Sequence, residues 1–217
     1  MPLTPLVSPE FDDAFRGHLH TLFRWRRDVR HFRTDPPPAG LRSRLIESCA
    51  LAPSVGLSEP WRLVMVDDPS RRAAVRDNFV ASNRQALQSV QAGRSALYAS
   101  LKLAGLDRAP WQLAVFCEAD PVQGGGLGRQ SMPETLAYSA VMAIHTLWLA
   151  ARAEGVGLGW VSILDAGAMT AALDVPASWR FVAYLCMGYP AAEDDVPELE
   201  RTGWETRGDP GVMILQR

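Results

Sequence analysis

Residues 24–33 read Arg24-Trp25-Arg26-Arg27-Asp28-Val29-Arg30-His31-Phe32-Arg33, five guanidinium side chains within ten positions, interleaved with aromatics and a single carboxylate. That much charge does not fit one side of a core, and the pattern is too ordered for a tail. A guanidinium group holds its donors in a planar fork that matches phosphate oxygens two at a time, and it stays charged when partly desolvated. The stretch reads as an anion site. Asp28 in its midst has two readings: a partner in a solvated ion-pair network with Arg24, Arg27 or Arg30, or a carboxylate held beside a bound anionic ligand to accept or orient a proton.

The surrounding chain has 217 residues, 47% of them hydrophobic, enough for one sizeable core, and residues 1–217 are expected to form a single domain. A net charge of -2 leaves no global basic field for nucleic acid, so the basic run is local. Lys102 is the only lysine among 22 basic residues, which discounts the number of arginines but not their clustering. Cys49, Cys117 and Cys186 are widely spaced, odd in number and set in apolar sequence, as reduced core thiols of a cytoplasmic protein would be. Met1 to Glu10 lacks the basic start and apolar run of a signal peptide. Thr135 to Ala151 carries no formal charge, but Ser139, His145 and Thr146 interrupt it and it falls short of about 20 apolar residues, so it reads as a buried helix and not a membrane span. His18 and His20 lie on different faces of a helix and cannot share a metal ion; no metal site is expected.

Taken in order, the spacing of Phe11, Phe15, Leu19, Leu22 and Phe23 predicts a helix over 9–25, starting at Ser8 or Pro9, that delivers the arginine stretch. Asp35-Pro36-Pro37-Pro38 is a stop, because a residue before proline is pushed out of the helical region. A second helix from Ala39 places Leu41, Leu45, Ile46 and Cys49 on one face and ends at Pro53. The loop Ala52 to Trp61 is either an ordinary helix-to-strand turn or a ligand-contacting loop placed by rigid neighbours. Arg62 to Val66 is strand-like, residues 69–103 suggest two helices broken near Gln91-Ala92-Gly93, and Trp111 to Phe116 reads as a buried strand.

Pro133 to Ala153 should be the central helix, apolar on nearly every face and hence buried all round or packed against a partner subunit. Gly157 to Leu164 looks like a strand leading to a helix with Asp165 as N-cap. Ser162 near that junction is a capping or turn residue, or else a partner for an electron-rich ligand atom. Trp179 to Met187 is another apolar strand. Residues 190–217 form a polar tail with an apolar end, Val212 to Leu215, expected to wrap another subunit. Few strands, spaced by helices without regular βαβ units, give an α+β class around a small central sheet. Neither the Gly124 to Gly128 run nor Gly155, Gly157 and Gly159 fits the dinucleotide-binding pattern G-x-G-x-x-G at a helix start.

Four motifs in order resemble the flavin-binding nitroreductase superfamily across essentially the whole chain. They are Arg26-Arg27-Asp28-Val29-Arg30-x-Phe32, Ala52-Pro53-Ser54 with Pro60-Trp61, Gly157 to Leu164, and Gly188-Tyr189-Pro190. Asp28, where ordinary nitroreductases usually have Ser, and the strand Gly159 to Leu164 look most like the BluB family of 5,6-dimethylbenzimidazole synthases. The resemblance implies a nitroreductase-like α+β fold, a small, mostly antiparallel sheet flanked by helices, and a homodimer with FMN at the subunit interface and the tail 190–217 embracing the partner. It also implies that reduced FMN is the substrate and molecular oxygen the co-substrate. FMN would fragment to 5,6-dimethylbenzimidazole, the lower ligand of vitamin B12, and a four-carbon sugar phosphate.

By the same resemblance, Arg26, Arg27 and Arg30 hold the ribityl phosphate and the pyrimidine edge, and Arg201, or failing that Arg207, completes the phosphate grip. Val29, Pro53, Ser54, Val55, Ser58 and Ile163 also belong to the flavin-binding set. Asp28 takes part in proton movement, and Ser162 lies near flavin N5; these are the catalytic pair. Residues 84–106 would form a lid over the water-poor pocket that oxygen chemistry requires. With no nicotinamide fingerprint, a separate flavin reductase is the expected electron source.

Two other functions fit the same motifs: an NAD(P)H-dependent nitroreductase or flavin oxidoreductase that returns its flavin intact, and a non-catalytic flavin-binding protein. Leu57 and Glu59 stand where many nitroreductases carry Asn and Gln, which weakens the simple reductase assignment.

Overall fold

The computed structural model describes residues 8–89 and 105–217. Four strands, β1 (Trp61–Met65), β2 (Trp111–Glu118), β3 (Gly157–Val161) and β4 (Trp179–Gly188), form one antiparallel sheet in the order β1-β2-β4-β3. Helices cover both faces, so the two central strands are buried on both sides and read as apolar runs without alternation.

On one face, Leu113, Val115, Ala183 and Leu185 pack against α2 (Leu41–Glu47) and α5 (Thr135–Ala153). On the other, Ala114, Phe116, Tyr184 and Cys186 meet α3 (Pro69–Ser89), α4 (Gly105–Arg108) and α6 (Ala166–Leu173). Polar pairs inside the second core are satisfied: Tyr184 donates its hydroxyl to Gln112 Oε1 at 2.6 Å, and Gln112 Nε2 donates to the Leu106 carbonyl at 2.9 Å. All three cysteines are buried and unbridged. Burial pushes the Cys49 thiol up to about 11, so it stays protonated at neutral pH.

Helix α5 buries Leu136, Ser139, Ala140, Ala143, Ile144, Leu147 and Ala151, a stripe at spacings of three and four. Its opposite face carries Tyr138, Val141 and Met142 outward, so the helix expected to be buried all round is buried on one side within a single chain. Among the described residues, no helix is long and apolar enough to cross a membrane.

Several boundaries differ from the sequence expectation for local reasons. Helix α1 is Asp13–Trp25, not 9–25, because the Asp12 side chain accepts from Phe15 N at 2.7 Å and caps it there. Helix α2 gives way to a 3-10 turn, Ser48–Leu51, before Pro53. Strand β3 stops at Val161, short of Ser162, and Asp165 caps α6 through Ala168 N at 2.7 Å as the sequence suggested. The expected helix break at 91–93 and most of the expected lid, 90–104, lie outside the described residues.

The arginine stretch runs parallel to β3 along the sheet edge. Asp28 bridges Leu158, Val29 N donates to the Leu158 carbonyl at 3.0 Å, and beyond it Arg33 N donates to Tyr189 O at 2.9 Å. The approach is close enough to dictate glycine: a Cβ on Gly159 would lie 2.1 Å from the Val29 carbonyl oxygen, and one on Gly157 would lie 2.8 Å from Val29 Cγ2. Backbone opposes the first of these, so no rotamer relieves it. Gly159→Ala is therefore expected to lift the Asp28 to Arg30 segment off β3 and cost about 2–3 kcal/mol, the upper end for overpacking. Thermal unfolding of the variant measures this, and an unchanged melting temperature would contradict the crossing.

Candidate flavin site

Along this segment each side chain takes a different direction. Arg26 stacks on Trp148 of α5, 4.8 Å from the ring centroid, and Trp148 Nε1 donates to the Arg27 carbonyl at 3.2 Å. Arg27 turns its fork to main chain: Nε donates to the Asp195 carbonyl at 3.0 Å, Nη2 donates to the same oxygen, and Nη1 donates to Arg26 O at 2.7 Å. Burial lowers the pKa of both guanidinium groups, and the nearby charge of Arg207 lowers them further. Arg26, Arg27 and Arg207 thus form a focus of positive charge beside the tail, which an anion would relieve.

Asp28 points along the β3 edge. Its Oδ1 accepts from Trp160 N at 2.9 Å, and its Oδ2 lies 3.4 Å from Arg30 Nε. Protein encloses most of the carboxylate, yet 38% of the side chain remains accessible, toward a cleft. Burial pushes the Asp28 carboxyl above its usual range, and the Glu198 charge adds to this; the Trp160 N–H and the Arg30 charge act against both without cancelling them. The Arg30 side chain is 13% exposed, and among the described residues it pairs with Asp28 alone, through Nε. Its terminal nitrogens are available to a ligand.

The cleft has a volume of about 440 Å³, within the usual range for small-molecule sites, about 300–1,000 Å³. Arg27, Asp28, Arg30, His31, Glu193, Asp194, Glu198 and Arg201 supply its polar wall. Arg201, on the one-turn helix α7 (Glu198–Arg201), reaches Asp194 Oδ2 through Nε at 3.1 Å. His31 Nε2 lies 3.8 Å from Glu198 Oε1. Ser162 and Ile163 follow directly on β3, with Ser162 exposed and two residues beyond Trp160, about 7 Å along an extended chain.

Arg26, Arg27, Asp28, Val29, Arg30, Ser162, Ile163, Arg201 and Arg207 thus gather around one edge of β3 and the tail. The loop with Pro53, Ser54, Val55 and Ser58 does not join them. It packs at the other end of α5, where Val55 N donates to Ser139 Oγ at 3.0 Å. Ser139 and Trp148 are nine residues apart, about 13 Å along the helix. The loop nevertheless carries strain and an unmet polar group of its own. Its backbone is strained, with positive φ at Leu57 and Glu59, and Ser54 Oγ accepts from Glu59 N at 3.1 Å. Ser58 Oγ is the one buried side-chain polar atom among the described residues without a hydrogen-bond partner. An unsatisfied hydroxyl there costs about 1–3 kcal/mol, which a polar ligand atom would recover.

The family model described as "Nitroreductase family" matches residues 23–189, from the arginine stretch to the end of the sheet. The chain belongs to the nitroreductase family. Two of its relatives carry one name. It is 58% identical over 201 residues to the 5,6-dimethylbenzimidazole synthase of Rhodospirillum rubrum, covering 93% of this chain and 95% of that one. It is 54% identical to the protein of the same name from Rhodobacter capsulatus, covering 90% and 94%. These relatives make it an enzyme of the nitroreductase family. In fold it resembles an iodotyrosine deiodinase solved with FMN and 3-iodo-L-tyrosine, with a TM-score of 0.69 at 23% identity, covering 81% of this chain and 91% of that one.

Trp148, Asp194, Asp195 and Glu198 were not legible as site residues. The acidic run near 194 offered a signal, since isolated acids beside an arginine cluster invite pairing. Trp148 offered none beyond its place on a buried helix.

The raised carboxyl pKa of Asp28 has a sign for stability. A group that binds its proton more tightly when folded stabilises the fold fully below its unfolded pKa, and that contribution is lost as pH rises through the folded value. Ionised Asp28 is thus a cost at neutral pH. Asp28→Asn keeps an acceptor for Trp160 N–H without the charge. The variant is expected to melt at or above the wild-type temperature at pH 7–8, with the difference shrinking as pH falls toward the carboxylate range. Melting curves of both proteins across that range check it; a variant destabilised equally at every pH would contradict it.

Proposed function

We propose that the chain catalyses the oxygen-dependent fragmentation of reduced FMN, releasing 5,6-dimethylbenzimidazole. The observation that carries this reading is Asp28: a carboxylate anchored on a strand-edge N–H, with raised proton affinity, facing a cleft lined with arginines. The names of the relatives at 54% and 58% identity point the same way. Reduced flavin supplies the electrons that oxygen takes up and the ring atoms of the product.

The chain's own residues divide the remaining work. Arg26, Arg27, Arg201 and Arg207 provide the positive charge that receives the ribityl phosphate, with Arg27 acting as a fixed charge because its donors are already taken by carbonyls. Arg30 donates its terminal nitrogens to the pyrimidine edge of the flavin. Asp28 is held by Trp160 at Oδ1, so Oδ2 is the atom that accepts and returns a proton at the ribityl chain; its raised pKa brings its proton affinity closer to neutrality, where a general base is most effective. Ser162 donates its exposed hydroxyl to the N5 edge. Val29 and Ile163 flank the ring.

A second copy of the chain completes the site. Pro53, Ser54, Val55 and Ser58 would contact the flavin from the partner, with the Ser58 hydroxyl gaining the hydrogen bond it lacks. The outward apolar face of α5 and the exposed Met213, Ile214 and Leu215 of the tail are the surfaces such a homodimer would cover. Sedimentation should return twice the chain mass, and a monomer that is fully active would contradict the shared site. Electrons come from a separate flavin reductase, since no nicotinamide-binding fingerprint is present.

The test is to mix pure protein with chemically reduced FMN, admit air, and measure 5,6-dimethylbenzimidazole by mass spectrometry. The wild type is expected to form it, and Asp28→Asn to retain FMN while losing at least about 100-fold in product formation, as for removal of a general base. NAD(P)H with FMN should yield little product unless a reductase is added. Return of only intact oxidised FMN would instead indicate a nitroreductase or a flavin carrier.

A further inference from the structure

Glu193, Asp194 and Asp195 are consecutive, and each carboxylate pairs with an arginine from a different helix. Glu193 takes Arg152 of α5 bidentately at 2.9 and 3.1 Å, Asp194 takes Arg201 of α7 at 3.1 Å, and Asp195 takes Arg24 of α1 at 2.6 Å. The outer two pairs fasten the loop to the body of the protein, and Arg27 adds its bonds to the Asp195 carbonyl. Upstream, Ala191 N donates to His31 O at 2.9 Å. Asp194, in the middle, lines the cleft, as does Glu193. Its Oδ1 accepts from Val196 N at 2.8 Å, which fixes the carboxylate and leaves Oδ2 directed at Arg201 Nε.

We propose that Asp194 is an internal anion that competes with the phosphate of the incoming flavin for Arg201, and so sets how tightly the phosphorylated ligand is held and how readily its phosphate end is released. The inference rests on the flavin reading above.

The chemistry favours exchange over permanent pairing. The Asp194–Arg201 pair is partly solvent-exposed, with side chains 38% and 47% accessible, and a pair of this kind is weak. A phosphate monoester brings a charge of about -1.5 to -2 and three acceptor oxygens against one carboxylate oxygen on one Nε, so it displaces Asp194. The displaced carboxylate is tethered within the cleft, where it repels the phosphate and retakes Arg201 when the phosphate leaves. A permanently bound cofactor has no use for such a device. A flavin that is consumed must enter at every turnover, and its phosphate-bearing fragment must depart.

The test is fluorescence titration of the full-length protein with FMN and, separately, with riboflavin, which lacks the phosphate. Asp194→Asn keeps the acceptor for Val196 N–H and is expected to lower the Kd for FMN about three- to tenfold while leaving riboflavin unchanged. Asp194→Ser, also uncharged, should move in the same direction. In an Arg201→Gln background the gain from Asp194→Asn should shrink, since the contested donor is gone. Unchanged or weaker FMN binding in both Asp194 variants would overturn the competition, as would an equal gain for riboflavin. A wild-type protein that binds FMN normally beside such variants leaves the flavin reading intact and sinks only this inference. A folded wild-type protein that binds no FMN overturns both.

Discussion

The close crossing of the Asp28 to Arg30 backbone over the edge of β3 is the constraint on which the site depends. It brings Val29 O to where a Cβ of residue 159 would be and allows the Val29 N–H to bond Leu158. It also carries the Asp28 carboxylate to the Trp160 N–H. Two glycines two positions apart, on one side of a strand, make this possible. With the segment so placed, the arginines on either side of Asp28 must diverge: Arg26 onto Trp148, Arg27 into the tail, Arg30 into the cleft. The divergence of these arginines is a consequence of the close backbone packing that Gly157 and Gly159 permit.

That arrangement stores electrostatic tension of both signs. Burial and the charge of Arg207 depress Arg26 and Arg27, while Asp28 is held ionisable against its burial and the charge of Glu198. Neither cluster helps an empty fold. Perturbed groups of opposite sign converging on a cleft are what a charged, redox-active ligand would need, and they give the loop of acids at 193–195 a purpose in balancing the arginines. The strained turn around Leu57 and the unsatisfied Ser58 hydroxyl repeat the pattern at the far end of α5.

Much of this was legible in the chain itself. The apolar runs of β2 and β4 announce strands buried on both faces, Asp165 announces a helix start, and the order of the four motifs points to the family. The glycines of β3 were visible as a pattern, but their cause was not, because the atom they avoid belongs to a residue about 130 positions earlier. The pairing of Arg27 was hidden for a similar reason: its partner is a main-chain carbonyl at Asp195, and no side-chain identity signals that. The start of α1 was misplaced because Pro9 is a common opening residue, while the cap that forms is the Asp12 side chain. The separation of the two site halves along α5 follows from packing of the loop on Ser139, a contact that periodicity does not reveal.

Whether flavin is consumed and not merely carried is tested most directly by stoichiometry over many turnovers. Limiting protein would be supplied with excess FMN, a separate reductase system and oxygen, and both FMN lost and 5,6-dimethylbenzimidazole formed would be counted. The two are expected to rise together in equal amounts, well beyond one equivalent per protomer. Flavin recovered intact while oxygen and reductant are consumed would contradict it.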